Sequence, residues 1–142
     1  MISSDEMNLI KKLKETKQEY IINMLKQNNI PFYKYEKYIE LIKCLLKEDG
    51  LLLKYTHKTI KNNPNLVYIA VKNNGDALKY ASCMIRNRKD IVLIAVDNNG
   101  LSLEFASTKL KNNKKIALTA FNQNPGAILH IGKFLRNKNI PY

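Results

Sequence analysis

Apolar residues along most of the chain fall into two kinds of block that alternate. In one kind, as in Leu78, Ala81 and Ile85, they stand at i, i+3 and i+7, one stripe of a 3.6-residue helix. In the other, as in Ile91, Ile94 and Ala95, they stand at i, i+3 and i+4. A strand does not suit the run Ile91–Val96, because it lacks alternation with polar residues and carries an alanine that recurs in every unit. Polar, turn-forming residues separate the blocks, so the pattern predicts pairs of short helices.

The pairs repeat. Gly50, Gly75 and Gly100 are 25 residues apart, and Pro125-Gly126 stands at the next step. Equivalent positions agree in chemistry: Leu53, Leu78, Leu103 and Ile128; Tyr55, Tyr80 and Phe105, with His130; Ile60, Ile85, Leu110 and Leu135; Ala70, Ala95 and Ala120. Helices of about ten residues do not persist alone in water. Each must therefore stack on its neighbours, and the expected fold is all-α, an α-solenoid of about 25-residue helix-turn-helix repeats with an N-terminal helical cap.

Local signals mark the ends of the elements. Asn73-Asn74-Gly75 and Asn98-Asn99-Gly100 predict a helix stop with a residue able to take positive φ, and Asn62, Asn87, Asn112 and Asn137 the same after each first helix. Pro64 suits the first turn of a second helix, with Asn63 as its cap. Ahead of the repeats, Ser3-Ser4-Asp5-Glu6 is a capping box that opens a helix with Ile10, Leu13, Ile21, Met24 and Leu25 on one stripe, ending near Gln27. Asn28-Asn29-Ile30-Pro31 breaks it. A further helix over about 34–47 carries Tyr38, Leu41, Ile42, Leu45 and Leu46, and its end at Gly50 matches the end of a repeat. Residues 1–142 thus read as one domain: 1–49 is the cap with one degenerate unit, and 50–142 holds three and a half repeats.

The repeats resemble the tandem helical repeats of domain of unknown function 4116. The likeness rests on L-x-Y/F-A-S followed by L-K/R-N-x-K-x-I-V-x-x-A-V-x-x-N-G, as in Leu78–Gly100 and its neighbours, and covers about residues 50–137. It implies a helical repeat array without an assigned activity, and a source among amoebae, amoeba-infecting bacteria or giant viruses.

Composition adds little to the fold but shapes the chemistry. Apolar residues at 45% and charged residues at 25% suit a folded domain. Cys44 and Cys83 form no disulfide framework or CxxC motif, and the first residues lack a signal peptide's basic and apolar regions. No apolar run approaches the ~20 residues of a membrane span. A soluble, intracellular protein with no metal, cofactor or membrane contact is expected.

Catalysis is not expected either. His130 replaces an aromatic residue of its column, and His57 shares a small-residue column with Ser82, Ser107 and Gly132. The two histidines belong to distant units with no matching carboxylate or cysteine. Cys44 aligns with Ile69 and Ile94 and reads as core. Cys83 aligns with Lys58, Thr108 and Lys133 and reads as exposed, one turn from Arg86. Asp76, Asp90 and Glu104 occupy early-helix sites that favour negative charge, and Asp97 reads as a solvated surface charge.

Charge is distributed unevenly. The net charge is +12, and residues 51–142 carry fifteen cations against four anions. Twelve of those cations bunch around the turn between the two helices of a unit: Lys58, Lys61, Arg86, Arg88, Lys89, Lys109, Lys111, Lys114, Lys115, Lys133, Arg136 and Lys138. Stacked units would align them along one edge. Cations in a helix's last turn offset the macrodipole, which accounts for Lys61, Arg86, Lys111 and Arg136. Arg88, Lys89, Lys114, Lys115 and Lys138 lie beyond the helix or at the start of the next, where positive charge opposes the dipole. They point to an anion-binding edge, whose few arginines and lack of stacking aromatics favour backbone charge over base reading in any nucleic acid.

A second candidate surface lies in the last half-unit. Ala127, Ile128, Ile131, Phe134 and Leu135 form a broad apolar face with Leu129 beside it. Ile128, Leu129, Ile131 and Phe134 are the candidate protein contacts. Either Ile140-Pro141-Tyr142 folds back over them, or another chain does, as in a homo-oligomer. The expected function is a non-enzymatic interaction module presenting a repeat surface to a protein partner; the rival is sequence-nonspecific nucleic-acid binding along the basic edge.

Overall fold

The structure, a computed structural model, describes residues 35–137 and, ahead of them, residues 15, 19 and 23. The expected capping box and first helix, the break at 28–31, the side chains of 35–38, Lys138 and Ile140-Pro141-Tyr142 lie outside the described residues. The elements among them are all helical, with no strand.

Helix α1 spans Tyr35–Glu48 and buries Ile42, Leu45 and Leu46. Three units of one design follow. Each has a six-residue 3-10 helix, a one-turn α-helix and a ten-residue α-helix. These are η1 Gly50–Tyr55, α2 Lys58–Lys61 and α3 Pro64–Asn73; then η2 Gly75–Tyr80, α4 Cys83–Arg86 and α5 Lys89–Asn98; then η3 Gly100–Phe105, α6 Thr108–Lys111 and α7 Lys114–Gln123. The half-unit supplies η4 Pro125–His130 and α8 Lys133–Arg136. The long helices pack in succession, α1 on α3, α3 on α5 and α5 on α7, and so do the 3-10 helices from η1 to η4.

The first helix of each unit is thus not one helix, as its apolar spacing suggested, but two. Ala81 and Ser82 are extended, with ψ of 155° and 158°, and interrupt the path between Leu78 and Ile85. The serine stabilises the break: its hydroxyl accepts the N–H of Ile85 at 3.3 Å, capping α4, while its own N–H crosses to the carbonyl of Lys61 at 2.9 Å. Ser107 repeats both bonds, with Leu110 and with the carbonyl of Arg86. The column of His57, Ser82, Ser107 and Gly132 is therefore an N-cap column. His57 fills it by accepting the N–H of Thr59 on Nδ1 at 3.3 Å.

The core runs the length of the array. Leu53, Leu78 and Leu103 are wholly buried, as are Val67, Ala70, Val71 and their equivalents Val92, Ala95 and Val96. Asn63 caps α3 and Pro64 opens it, as the sequence indicates.

The Asn-Asn-Gly triplet works differently from the expectation. Neither the glycines nor Asn62, Asn87 and Asn112 take positive φ; the three asparagines sit near φ −100°, ψ 0°. Asn137 is also right-handed. The glycine is needed for close approach: a Cβ on Gly50, Gly75 or Gly100 would run into the backbone carbonyl oxygen of Ala70, Ala95 or Ala120 in the long helix of its own unit. The freed space brings in an amide staple. Gly75 N–H donates to Asn98 Oδ1 at 2.7 Å, and Asn98 Nδ2 donates to the Lys72 carbonyl at 3.2 Å. Asn73 makes the same pair of bonds with Gly50 and Lys47. Gln123 does so with Gly100 and Asn98. The middle residue of the triplet caps the 3-10 helix, as when Asn74 Oδ1 accepts the N–H of Asp76.

Pro125 stands where these glycines stand. It has no N–H for a staple.

Candidate functional site: the basic edge and its neighbours

The N-cap bonds position the basic edge. Each unit's short helix is tied to the one before it by a backbone bond onto Lys61, Arg86 or Lys111, the very column of expected edge residues. Their backbones therefore lie side by side, at the C-terminal ends of α2, α4 and α6, with Arg136 at the same place on α8. Lys58, Lys89, Lys109, Lys114, Lys115, Lys133 and Arg136 are exposed, and Lys61, Arg86 and Lys111 half-buried. Lys61 spends its ammonium on the carbonyl of Lys54, at 2.9 Å.

Arg88 differs from the other cations. It sits at the N-cap of α5 and makes a two-pronged contact with Asp90, Nε to Oδ1 at 3.1 Å and Nη2 to Oδ2 at 2.7 Å. These hydrogen bonds raise the arginine's pKa and hold the Asp90 carboxyl below its ordinary value. Arg88 at the start of a helix is thus compensated locally, by an acid that the first turn also favours. Among the described residues, no other edge cation meets a carboxylate.

Spacing alone did not reveal that half-buried aromatics border the edge. Tyr55, Tyr80 and Phe105 pack against the core at its margin. Lys54 lies 5.6 Å from the centre of the Tyr55 ring and Lys79 5.8 Å from that of Phe105, a residue one unit on. Phe105 and Arg86 line the same cavity. The aromatic column was legible, but its position beside the cations depends on the break that separates the 3-10 helix from the short α-helix.

The second candidate surface divides. Ile131 is 3% exposed and belongs to the core, so it is no contact residue, and Ile128 is half-buried. Leu129 and Phe134 are 73% and 61% exposed. Their columns hold Lys54, Lys79 and Glu104 in one case and Thr59, Met84 and Lys109 in the other, all exposed. These positions face outward in every unit, so their exposure does not come from the end of the array.

Other expectations need correction. Cys44 is exposed rather than core. The long helices bury the positions of Leu66, Val67, Ala70 and Val71, and the column of Cys44, Ile69 and Ile94 lies at the margin of that stripe, where both isoleucines are half-buried. Cys83 is exposed, as expected. Asp76, read as a helix-start charge, also joins two units: its Oδ1 accepts from Asn99 Nδ2 and from the Oγ of the fully buried Ser102, both at 2.9 Å.

Among the described residues, no three His, Cys, Asp or Glu side chains are grouped to hold a metal ion, and no helix is long and apolar enough to cross a membrane. The arrangement offers binding surfaces: a cationic edge, an aromatic margin and two outward apolar side chains.

These features define an all-helical tandem-repeat protein. Residues 38–82 and 88–136, more than half of the chain, match the family model described as a domain of unknown function (DUF4116), and the chain belongs to that family. The match begins within α1. No curated protein and no solved structure matches the chain.

Proposed function

We propose that the protein is an α-solenoid that works by binding, without catalysis, and that its basic edge receives an acidic surface of a protein partner. The observation that carries this reading is the backbone-bonded register of Lys61, Arg86 and Lys111. It sets neighbouring cations on a rigid frame while Arg88 alone among the described edge cations is neutralised by an acid. A rigid row of like charge costs little conformational entropy to dock and steers an anionic partner from a distance. An extended repeat surface suits a protein partner.

A second reading, nonspecific nucleic-acid binding, draws support from the aromatic margin, since Phe105 shares a cavity with Arg86 and could stack on an unpaired base. Two titrations separate the readings. An acidic, glutamate-rich peptide should bind at low salt, weaken as salt rises, and fail with the triple variant Lys111→Glu, Lys114→Glu, Arg136→Glu. A DNA duplex or single strand that binds with a steep log–log dependence on salt, while the peptide does not, selects the nucleic-acid reading. If neither probe binds at low salt, the basic edge is not the docking side.

A further inference from the structure

Between the second and third units, midway along the basic edge, lies a cavity of about 170 Å³ lined by Cys83, Arg86, Phe105, Ala106, Ser107 and Thr108. Three observations bear on what it takes. Among the described residues, Arg86 Nε is buried without a hydrogen-bond partner, and no carboxylate pairs with this guanidinium. Glu104, next to Phe105, is exposed and makes no ion pair with it. Second, the Ser107 hydroxyl is already committed, donating to Asn87 Oδ1 and accepting from Leu110 N–H, so the charged side chain that lines the cavity is Arg86. Third, the Phe105 ring and Ala106 give the cavity an apolar wall, which strengthens a charge-assisted bond by keeping water off one side.

A buried donor without an acceptor is costly, and a planar fork of N–H groups matches an oxyanion better than an ammonium does. A single water fills only about 30 Å³, so the space admits a larger group. In the equivalent column Lys61 turns its ammonium to a backbone carbonyl, whereas no hydrogen-bond partner among the described residues meets Arg86 Nε. We infer that this cavity seats one carboxylate of the acidic partner, an Asp or Glu side chain gripped by the Arg86 guanidinium, with the Thr108 hydroxyl as a second donor. The inference rests on the reading of the basic edge as the docking side and names its anchor.

Cys83 lines the cavity and reports on it. In a Cys44→Ser background, the rate at which iodoacetamide alkylates Cys83 would be followed by mass spectrometry at fixed ionic strength, with the glutamate-rich peptide, inorganic phosphate or chloride added. The peptide should slow alkylation at least fivefold and saturably, with chloride and phosphate weaker. Arg86→Lys keeps the charge and places the residue found at 61 and 111, so it should fold, yet it should weaken protection at least fivefold. Thr108→Val should weaken it less. Unchanged protection in Arg86→Lys overturns the assignment, as does protection by phosphate alone, which would make the cavity a phosphate seat. If the peptide binds and the triple edge variant abolishes binding while Cys83 stays unprotected, the edge stands and the anchor falls. If the peptide does not bind at all, both fall.

Discussion

Ser107 donates its hydroxyl hydrogen to Asn87 Oδ1 at 2.7 Å, joining two units through a side-chain bond twenty residues long in sequence. Ser82 and Asn62 form the same pair at 2.6 Å. At the third joint the serine is replaced by Gly132, α8 has no side-chain cap, and Asn112 Oδ1 is buried without a partner among the described residues.

Restoring that serine should restore the joint. A Cβ at Gly132 would collide with the Asn112 amide, the mobile end of a side chain that must swing to where Asn87 stands in its own joint. Gly132→Ser is expected to stabilise the protein by about 1 kcal/mol through the cap and the new bond. That corresponds to a rise in Tm of roughly 3–5 °C for a domain of this size. Asn87→Ala should lower stability, while Asn112→Ala should be nearly neutral, because removing a buried unsatisfied acceptor offsets the lost Nδ2 bond to the Thr108 carbonyl. Thermal melts of the three variants decide it, and an unchanged or lower Tm for Gly132→Ser refutes the account.

The glycine and proline of one column should respond oppositely to alanine. Gly100→Ala sets a methyl against the Ala120 carbonyl, a backbone atom that cannot yield without moving α7. A loss of about 2–3 kcal/mol is expected. Pro125 is exposed, so Pro125→Ala should change stability by less than about 1 kcal/mol. Urea denaturation measures both, and equal losses would show that the column is not governed by packing against the long helix.

Asp76 and Ser102 should behave as a coupled pair. Asp76→Ala strands the hydroxyl of a fully buried serine and is expected to cost about 1–3 kcal/mol. Ser102→Ala places the residue found at 77 and 127, so the double variant should recover at least half of that loss. A strictly additive double-mutant cycle would remove Asp76 from the joint.

The Arg88–Asp90 contact predicts a pH dependence of known sign. Because Asp90 titrates below its unfolded value, its stabilisation is complete above the ordinary carboxylate range and fades as pH falls through the folded pKa. Both side chains are largely exposed, so the effect is small. Wild type should be slightly more stable than Asp90→Asn at neutral pH, with the gap closing in acid. A gap that widens on acidification contradicts it.

How much of this was legible depended on distance along the chain. The period, the unit boundaries, the long helices and the Asn63-Pro64 start follow from neighbours within four residues, and the sequence displays those directly. It also shows that positions 25 apart are equivalent. The split first helix escaped because a 3-10 turn of three residues and an α turn of 3.6 both set i and i+3 on one side, so the stripe of Leu78, Ala81 and Ile85 cannot tell them apart.

By itself, then, the sequence determined an all-helical array, its repeat length and its cationic column. Only the tertiary structure decided what each recurring side chain touches: that the glycines make room for a carbonyl, that the asparagines staple adjacent units, that Arg88 is neutralised and that Arg86 Nε is not satisfied. Apart from the Arg88–Asp90 contact, which depends on the side chains' conformation, those roles belong to partners 20–26 residues away or to space left between units. Periodicity states which positions share an environment, whereas the environment itself exists only once the units are packed.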